Sequence, residues 1–459
     1  MANSAIISAN TENFTNEEIQ RYFEKFNLLK QQGYLDPTTS TSHLSGRLNG
    51  ELVKETLANT LSIILEVTEK CNLNCSYCSY GKHYNHFTPR ENQQLDIKKT
   101  TTFLDYIFQL KKTSLNRSLA QPLQIGFYGG EPLLNIPLIK GVTQYLRKRK
   151  DIPRTILTMT TNATLLDKYM GFIVENNIHF NISLDGSLDN NSYRVFFNGK
   201  PSYNKVFQNI KLFQKTHPKY FEKHVGFLSV LHDRNSIKEI NTFLKSEFNK
   251  IANISEVSPV GVASEMRGEF SKMFRNLYED LFQQENYAID DKNKQLLFAD
   301  RTIVTKMLHQ HCCHVYQNYR ELLFGNTQIP LQIPTGTCLP FYYKVFLTSS
   351  GNILPCEKIG HQFALGNIDG NNIVNIDCEN IAVKYNKLYD KLEEQCGICH
   401  NATLCSQCIF NIKDIDEHTP TCNGCLSEQE FSKYLATQVG YLEKYQSQYS
   451  FIMKNIIGK

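Results

Sequence analysis

No stretch of this 459-residue chain reaches the roughly 18 consecutive apolar residues that a membrane-spanning helix needs. The opening run Met-Ala-Asn-Ser-Ala-Ile-Ile-Ser lacks the charged and long apolar regions of a signal peptide. Neither sign of charge dominates. With 49 basic residues against 45 acidic ones, bulk electrostatics gives no reason to expect a nucleic-acid partner. No polybasic arm is present: Arg147-Lys148-Arg149-Lys150 is short and falls at an expected helix end, where cations suit the dipole. No internal repeat of solenoid length occurs. These absences lead to the expectation of a cytoplasmic protein with neither a membrane nor a nucleic-acid partner, in a compartment that keeps thiols reduced. Its 14 cysteines are then expected to hold metal rather than disulfides. The length allows two or three domains and a well-buried core.

The cysteines carry most of the information. Cys71, Cys75 and Cys78 lie in Glu-Val-Thr-Glu-Lys-Cys-Asn-Leu-Asn-Cys-Ser-Tyr-Cys, with spacing C-x3-C-x2-C. Three thiolates so spaced can hold three irons of a four-iron cluster and leave the fourth open to chemistry. No fourth cysteine follows nearby, as a purely electron-storing cluster would require. A zinc knuckle or three buried thiols are the plainer alternatives. Ser62 to Val67, short and rich in branched residues, predicts a buried strand just before the loop. The cysteines therefore sit at a strand end, where α/β folds place active sites. Tyr77 stands where an aromatic ring can wall off such a cluster.

From about residue 60 to 265 strands and helices alternate. Further strands are expected at 123–128, 156–160, 178–183, 225–231 and 254–260, with helices near 94–112 and 136–149. Six βα units imply a parallel sheet with right-handed crossovers. Before them, Thr15 and Glu18 form a capping-box pair, Ile19, Tyr22, Phe23, Phe26 and Leu29 recur at helical spacing, and Gly33 ends the helix. A linker follows from Pro37. After the barrel, 268–325 reads as largely helical and 336–430 as cysteine-rich and irregular. Glu428 to Lys459 reads as a helix with Phe431, Tyr434, Leu435 and Val439 on one face.

Polar and glycine-rich motifs end successive strands. Phe127-Tyr-Gly-Gly-Glu-Pro132 closes the second, and its glycines let the backbone approach a ligand closely. Thr160-Thr161-Asn162 ends the third and Ser183-Leu184-Asp185-Gly186 the fourth, so their polar groups meet at a common mouth. For Ser183, Asp185 and Arg194, ordinary turn and surface contacts are the alternative.

The cysteine triplet with its internal aromatic, followed by Gly-Gly-Glu-Pro, resembles the radical S-adenosylmethionine (SAM) enzymes. That resemblance, covering about 60–430, implies an α/β fold, a partial (β/α)6 TIM-type barrel at 56–267. It further implies SAM chelated at the open iron by its methionine amine and carboxylate, and one-electron cleavage to a 5′-deoxyadenosyl radical. Gly129, Gly130 and Glu131 would engage the methionine ammonium, Thr161, Asn162, Ser183 and Asp185 would line the ribose and carboxylate pocket, and Arg194 would pair with the carboxylate. Ala163 replaces the family's usual glycine, which leaves room for a different turn.

A second field of cysteines comprises Cys338, Cys356, Cys396, Cys399, Cys405, Cys408, Cys422 and Cys425. C-x2-C-x5-C-x2-C suits a zinc ribbon, whereas all eight together suit iron–sulfur clusters. The Cys338-x12-Gly351-x4-Cys356 spacing resembles the SPASM extension of radical enzymes, although the gap before Cys408 is shorter by one. By that resemblance 336–430 is a C-terminal cysteine-rich auxiliary-cluster domain. Cys338, Cys356 and Cys408 would bind one cluster, and Cys396, Cys399, Cys405 and either Cys422 or Cys425 the other, for three [4Fe-4S] clusters in all. His311-Cys312-Cys313-His314 reads as a helix packing small thiols, and Cys378 as a packing residue.

The resemblance implies an oxidoreductase that matures a ribosomally made precursor peptide by installing a thioether or C–C crosslink. Its partners would be that peptide with its leader and a reductant such as flavodoxin or ferredoxin. Residues 1–55 would then be a leader-docking helix and linker, 268–335 a helical bridge, and 431–459 a C-terminal helix. The alternative is a sulfatase maturase that makes formylglycine; it needs a carboxylate base, and the Asp-rich text expected after the glycine motif is Glu357-Lys358 here. The alternative of another class is a non-catalytic zinc-ribbon module.

Overall fold

The computed structural model describes residues 45–85, 90–118, 121–277, 333–402 and 407–433, with isolated positions at 20, 24, 27, 28, 31, 280, 405 and 436. Apart from those positions, the expected N-terminal helix, the His311–His314 segment, most of the bridge and most of the C-terminal helix lie outside the described residues. Among the described residues, no helix is long and apolar enough to cross a membrane.

Six parallel strands form the centre: β1 (Ser62–Thr68), β2 (Leu123–Gly129), β3 (Thr155–Thr161), β4 (His179–Ser183), β5 (Val225–Leu231) and β6 (Ala252–Glu256). The helices that alternate with them are α2 (Ile97–Lys111), α3 (Ile136–Lys148), α4 (Leu166–Glu175), α5 (Tyr203–Thr216), α6 (Pro218–His224) and α7 (Ile237–Phe248), preceded by α1 (Gly50–Ala58). Each boundary has a local cause. Asp96 accepts from the amides of Lys98 and Lys99 and so starts α2. Ser236 caps α7 by accepting from the Glu239 amide while its hydroxyl donates to the Glu239 carboxylate, and Asn249 in left-handed backbone stops the helix. β6 lies two residues earlier than expected because its ladder runs only from Phe227–Ala252 to Leu231–Glu256, where β5 ends.

Four short strands extend the sheet beyond β1: β7 (Val345–Leu347), β8 (Asn352–Leu354), β9 (Gly366–Ile368) and β10 (Val374–Ile376). The order is β10-β9-β8-β7-β1-β2-β3-β4-β5-β6, one ten-stranded sheet. β7 runs parallel to β1, pairing Ile63 with Val345 and Leu65 with Leu347, and β8 to β10 are antiparallel. The cysteine-rich region thus joins the barrel through backbone hydrogen bonds, where sequence patterning had read it as irregular.

The two faces of the sheet differ. Ile63, Leu65, Val67, Ile125, Phe127, Met159, Phe180, Ile182 and Phe227 pack under the helices against Phe103, Ile107, Ile139 and Val142. Each such fully buried side chain contributes about 1.5–3 kcal/mol. The alternate positions, including Glu66, Tyr128, Thr158, Thr160, Asn181 and Ser183, form a largely polar inner face, unlike the packed apolar layers of a closed barrel. The sheet is an open partial barrel. α1 crosses the expected domain boundary at residue 55 and packs on α9 (Cys378–Asp390), which follows α8 (Arg267–Met273). Asn386 on α9 donates to the Leu48 carbonyl and accepts from the Leu48 amide, at 2.9 and 2.8 Å. Cys378, at the first turn of α9, packs partly buried against the core.

Candidate active site

The loop after β1 is folded by its own backbone. The Cys78 amide donates to the Cys75 carbonyl (3.1 Å), the Gly81 amide to the Cys78 carbonyl (2.7 Å), and the Asn74 amide to the Val195 carbonyl (2.7 Å). Cys71, Cys75 and Cys78 are half-buried and feel one another electrostatically. Burial pushes the Cys75 thiol up to about 12, with Arg194 opposing, and raises that of Cys71. The Leu73 amide and Asn162 Nδ2 donate to Cys71 Sγ at 3.5 and 3.9 Å. N–H donors aimed at sulfur are what a liganding thiolate receives in iron–sulfur sites. Among the described residues, no three His, Cys, Asp or Glu side chains close around a single metal ion. Three thiols in one loop that feel one another electrostatically are the donor set that a four-iron cluster takes at three of its irons.

The Gly-Gly-Glu turn fastens that loop to β2. The Gly130 amide donates to the Thr68 carbonyl and the Glu131 amide to the Lys70 carbonyl, both at 2.8 Å. Gly129 has φ +122, and a Cβ there would strike the Thr68 carbonyl oxygen; one on Gly130 would strike that of Lys70. Glu131 is fully buried. Its Oε1 accepts from Thr161 Oγ1 (2.8 Å) and the Leu133 amide (3.1 Å), its Oε2 from the Asn162 amide (2.7 Å). Burial pushes its carboxyl up to about 7 against the pull of those bonds. The carboxylate therefore ties the ends of β2 and β3 together.

At the β3 end, Asn162 Nδ2 donates to Asn72 Oδ1 (2.8 Å), and Asn72 Nδ2 to Thr164 Oγ1 (2.8 Å), so this turn also grips the cysteine loop. Ala163 takes φ 59, the left-handed backbone that glycine favours. Its carbonyl is held by Asn209 Nδ2 at 2.8 Å. The replacement thus keeps a glycine-type turn rather than forming a different one.

Asp185, Arg194 and Tyr77 form one buried unit. Arg194 Nε and Nη2 donate to the two Asp185 oxygens at 2.9 and 3.0 Å, with side-chain exposures of 10% and 0%. The Tyr77 hydroxyl donates to Asp185 Oδ2 and the Val230 amide to Oδ1. The Arg194 fork is thus engaged by Asp185 rather than open toward the mouth, and Ser183 lies half-buried on the inner face beside them. Tyr77 stacks on His232 at 5.8 Å, and both meet Tyr193 edge-on. His232 and Tyr193 escaped sequence reasoning. His232 follows the last residue of β5, so the strand-end rule would have found it. It is fully buried, and burial lowers its pKa, with Asp185 and Asp233 opposing.

The second cysteine field divides in two. Cys356 follows β8, and Cys408 precedes a short 3-10 turn at Ile409–Asn411. Cys408 lies within electrostatic reach of Cys338, and the buried Tyr385 feels Cys408, Cys338 and Cys356. Cys396, pushed up to about 12 by burial, instead feels Cys405, Cys422 and Cys399. Cys425, pushed up to about 11 by burial, feels Cys399 and then Cys422, and its thiol donates to the Gln395 carbonyl at 3.5 Å. Beside Cys356, Lys344 Nζ clasps both oxygens of Glu357 at 3.0 and 3.1 Å.

Comparison with known proteins places this geometry. Residues 65–245 match the family model of the Radical SAM superfamily. An uncharacterized protein of Methanocaldococcus jannaschii is 36% identical over 141 residues, 30% of this chain and 44% of that one. A cysteine-type anaerobic sulfatase-maturating enzyme of Clostridium novyi is 22% identical over 363 residues, 75% of this chain and 87% of that one. The radical SAM cyclopropyl synthase TigE of Paramaledivibacter caminithermalis is 23% identical over 287 residues, 60% of this chain and 56% of that one. Two of these three relatives are therefore covered over less than two thirds of their length. Among solved structures, anSMEcpe with bound AdoMet shares the fold with a TM-score of 0.53 at 17% identity, over 87% of this chain and 100% of that one. The barrel built around the Cys71–Cys78 loop is thus a radical SAM domain, spanning residues 65–245.

Proposed function

We propose that this protein is a peptide maturase that installs a crosslink, thioether or C–C, in a ribosomally made precursor peptide. One observation carries the reading: β7 lies beside β1, so the Cys356 region and the Cys78 loop border the same inner wall. Tyr128 on that wall lies within electrostatic reach of both cysteines. Cys71, Cys75 and Cys78 would hold the radical SAM cluster, and Cys338, Cys356 and Cys408 an auxiliary one. Cys396, Cys399, Cys405 and Cys422 would hold a second, the grouping of their thiols favouring Cys422 over Cys425. When bound, the first cluster supplies the electron that cleaves SAM to a 5′-deoxyadenosyl radical. The chain's own part is to orient. The Gly-Gly-Glu turn and Asn162 fix the cysteine loop, Tyr77 and the Asp185–Arg194 pair wall one side, and the open polar inner face admits an extended peptide.

A flavodoxin or ferredoxin would supply electrons. The similarity to the Clostridium novyi enzyme favours a second reading, oxidation of a cysteine or serine to formylglycine, for which Glu357 is the available carboxylate. The radical SAM domain opposes a non-catalytic zinc ribbon. Coexpression with a candidate precursor peptide, followed by mass spectrometry, tests the reading. Crosslinking removes two hydrogens and leaves no free aldehyde. An aldehyde on a sulfatase-derived peptide, with the precursor unchanged, would replace the first reading by the second.

A further inference from the structure

On β1, Glu66 points to the inner face beside its registered partner Tyr128. It is fully buried. Its Oε2 accepts from the Ser349 amide at 3.0 Å and from Ser349 Oγ at 3.2 Å. Its Oε1, equally buried, has no hydrogen-bond partner among the described residues. Arg90 shows the complementary feature. Its Nη1 donates to the Glu69 carbonyl at 2.7 Å, and its guanidinium lies 3.7 Å from the Tyr80 ring centroid. Its Nε is buried and donates to nothing among the described residues.

Tyr80 borders both groups: burial first, then the Glu66 carboxylate, raises its phenol, with Arg90 opposing. Tyr128 feels Glu357, Cys78, Arg90 and Cys356 in turn. One unused acceptor and one unused donor therefore occupy the corner between the cysteine loop and Cys356. Ser349 holds the carboxylate and Glu69 holds the guanidinium, so each is fixed by a different neighbour. Buried polar atoms are nearly always paired, and an orphan at such a site points to a partner that arrives later. An N–H beside a C=O, the two ends of an amide, satisfies both.

We propose that Glu66 and Arg90 form a substrate subsite for one amide group of the peptide, Glu66 Oε1 accepting its N–H and Arg90 Nε donating to its carbonyl. The inference rests on the peptide-maturase reading and adds to it a choice of which residue lies against the inner wall. A backbone amide and a primary carboxamide side chain share this chemistry.

Saturation-transfer NMR on the full, anaerobically reconstituted chain tests the subsite with two probes, N-acetylalanine methylamide for the backbone type and propionamide for the side-chain type. Glu66→Gln is the deciding variant. The Ser349 N–H and O–H keep the glutamine oxygen, which turns an NH2 toward the empty position and sets donor against donor. The expected result is saturation of one probe by the wild type, weakened about tenfold in Glu66→Gln and in Arg90→Lys. The melting temperature of Glu66→Gln should not fall, since Ser349 keeps its acceptor. The probe that binds names the source of the amide. Equal binding by wild type and Glu66→Gln, or no binding by the wild type, would overturn the subsite. Because no turnover is measured, amide binding without a crosslinked peptide sinks the maturase reading alone.

Discussion

Two buried carboxylates at the mouth of the barrel behave differently because their partners differ. Asp185 faces the Arg194 guanidinium, so Asp185→Asn leaves a buried cation without its counter-charge. The expected loss is about 3–5 kcal/mol of stability, recovered in part by adding Arg194→Met. Denaturant titration of both variants checks this, and an unchanged midpoint for the single variant would contradict it. Glu131 has only neutral donors, and burial pushes it up to about 7. The folded protein thus keeps this proton up to about pH 7, while the unfolded chain releases it near the usual value of about 4.3. Between those limits the folded state binds more protons, so the contribution of Glu131 to stability declines as pH rises and levels off above about 7. Glu131→Gln removes that decline. Relative to wild type, the variant should gain on the order of 2–3 kcal/mol between pH 5 and pH 8. A constant difference across that range would show that Glu131 does not titrate there. The strand-end glycines, Glu131 and the cysteines are legible in the sequence because each motif is contiguous. The Glu66–Arg90 corner is not, because it depends on Ser349, 283 positions away from Glu66. An acidic residue inside an apolar strand was its one local signal.

The elements divide in the same way. β1 to β5 are legible because runs of five to seven residues carry a period or a branched apolar stretch. β7 to β10 have three residues each, too few for a period, and owe their pairing to the edge that β1 presents. α1 was hidden because what fixes it is a distant contact. Asn386 on α9 satisfies both backbone groups of Leu48, and Arg47 reaches Asp390 and Glu393 on the same side. Those ion pairs are partly exposed and contribute little, so the Asn386 pair should dominate. Asn386→Ala is expected to cost about 1–3 kcal/mol locally and to raise hydrogen exchange across residues 45–58 without changing that of β1 to β5. Unchanged exchange there would mean that apolar packing alone holds α1.

At the scale of the whole molecule, one continuous sheet carries both the cysteine loop of the radical SAM domain and the C-terminal cysteine field. Motif spacing anticipated the parallel barrel, but not that backbone pairing of β7 with β1 would join the cysteine-rich region to it. The loop that holds Cys71, Cys75 and Cys78 is fixed by backbone contacts to Gly130, Glu131 and Val195 rather than by the sulfurs themselves. Replacing all three cysteines by alanine should therefore leave the barrel folded while removing its chemistry. The most direct measurement is 5′-deoxyadenosine formed from S-adenosylmethionine and dithionite by the anaerobically reconstituted chain and by the Cys71→Ala, Cys75→Ala, Cys78→Ala triple variant. Formation by the wild type, and none by a triple variant that keeps its cooperative melting transition, is the expected result. Equal formation by both proteins would contradict the assignment of the cluster to this loop.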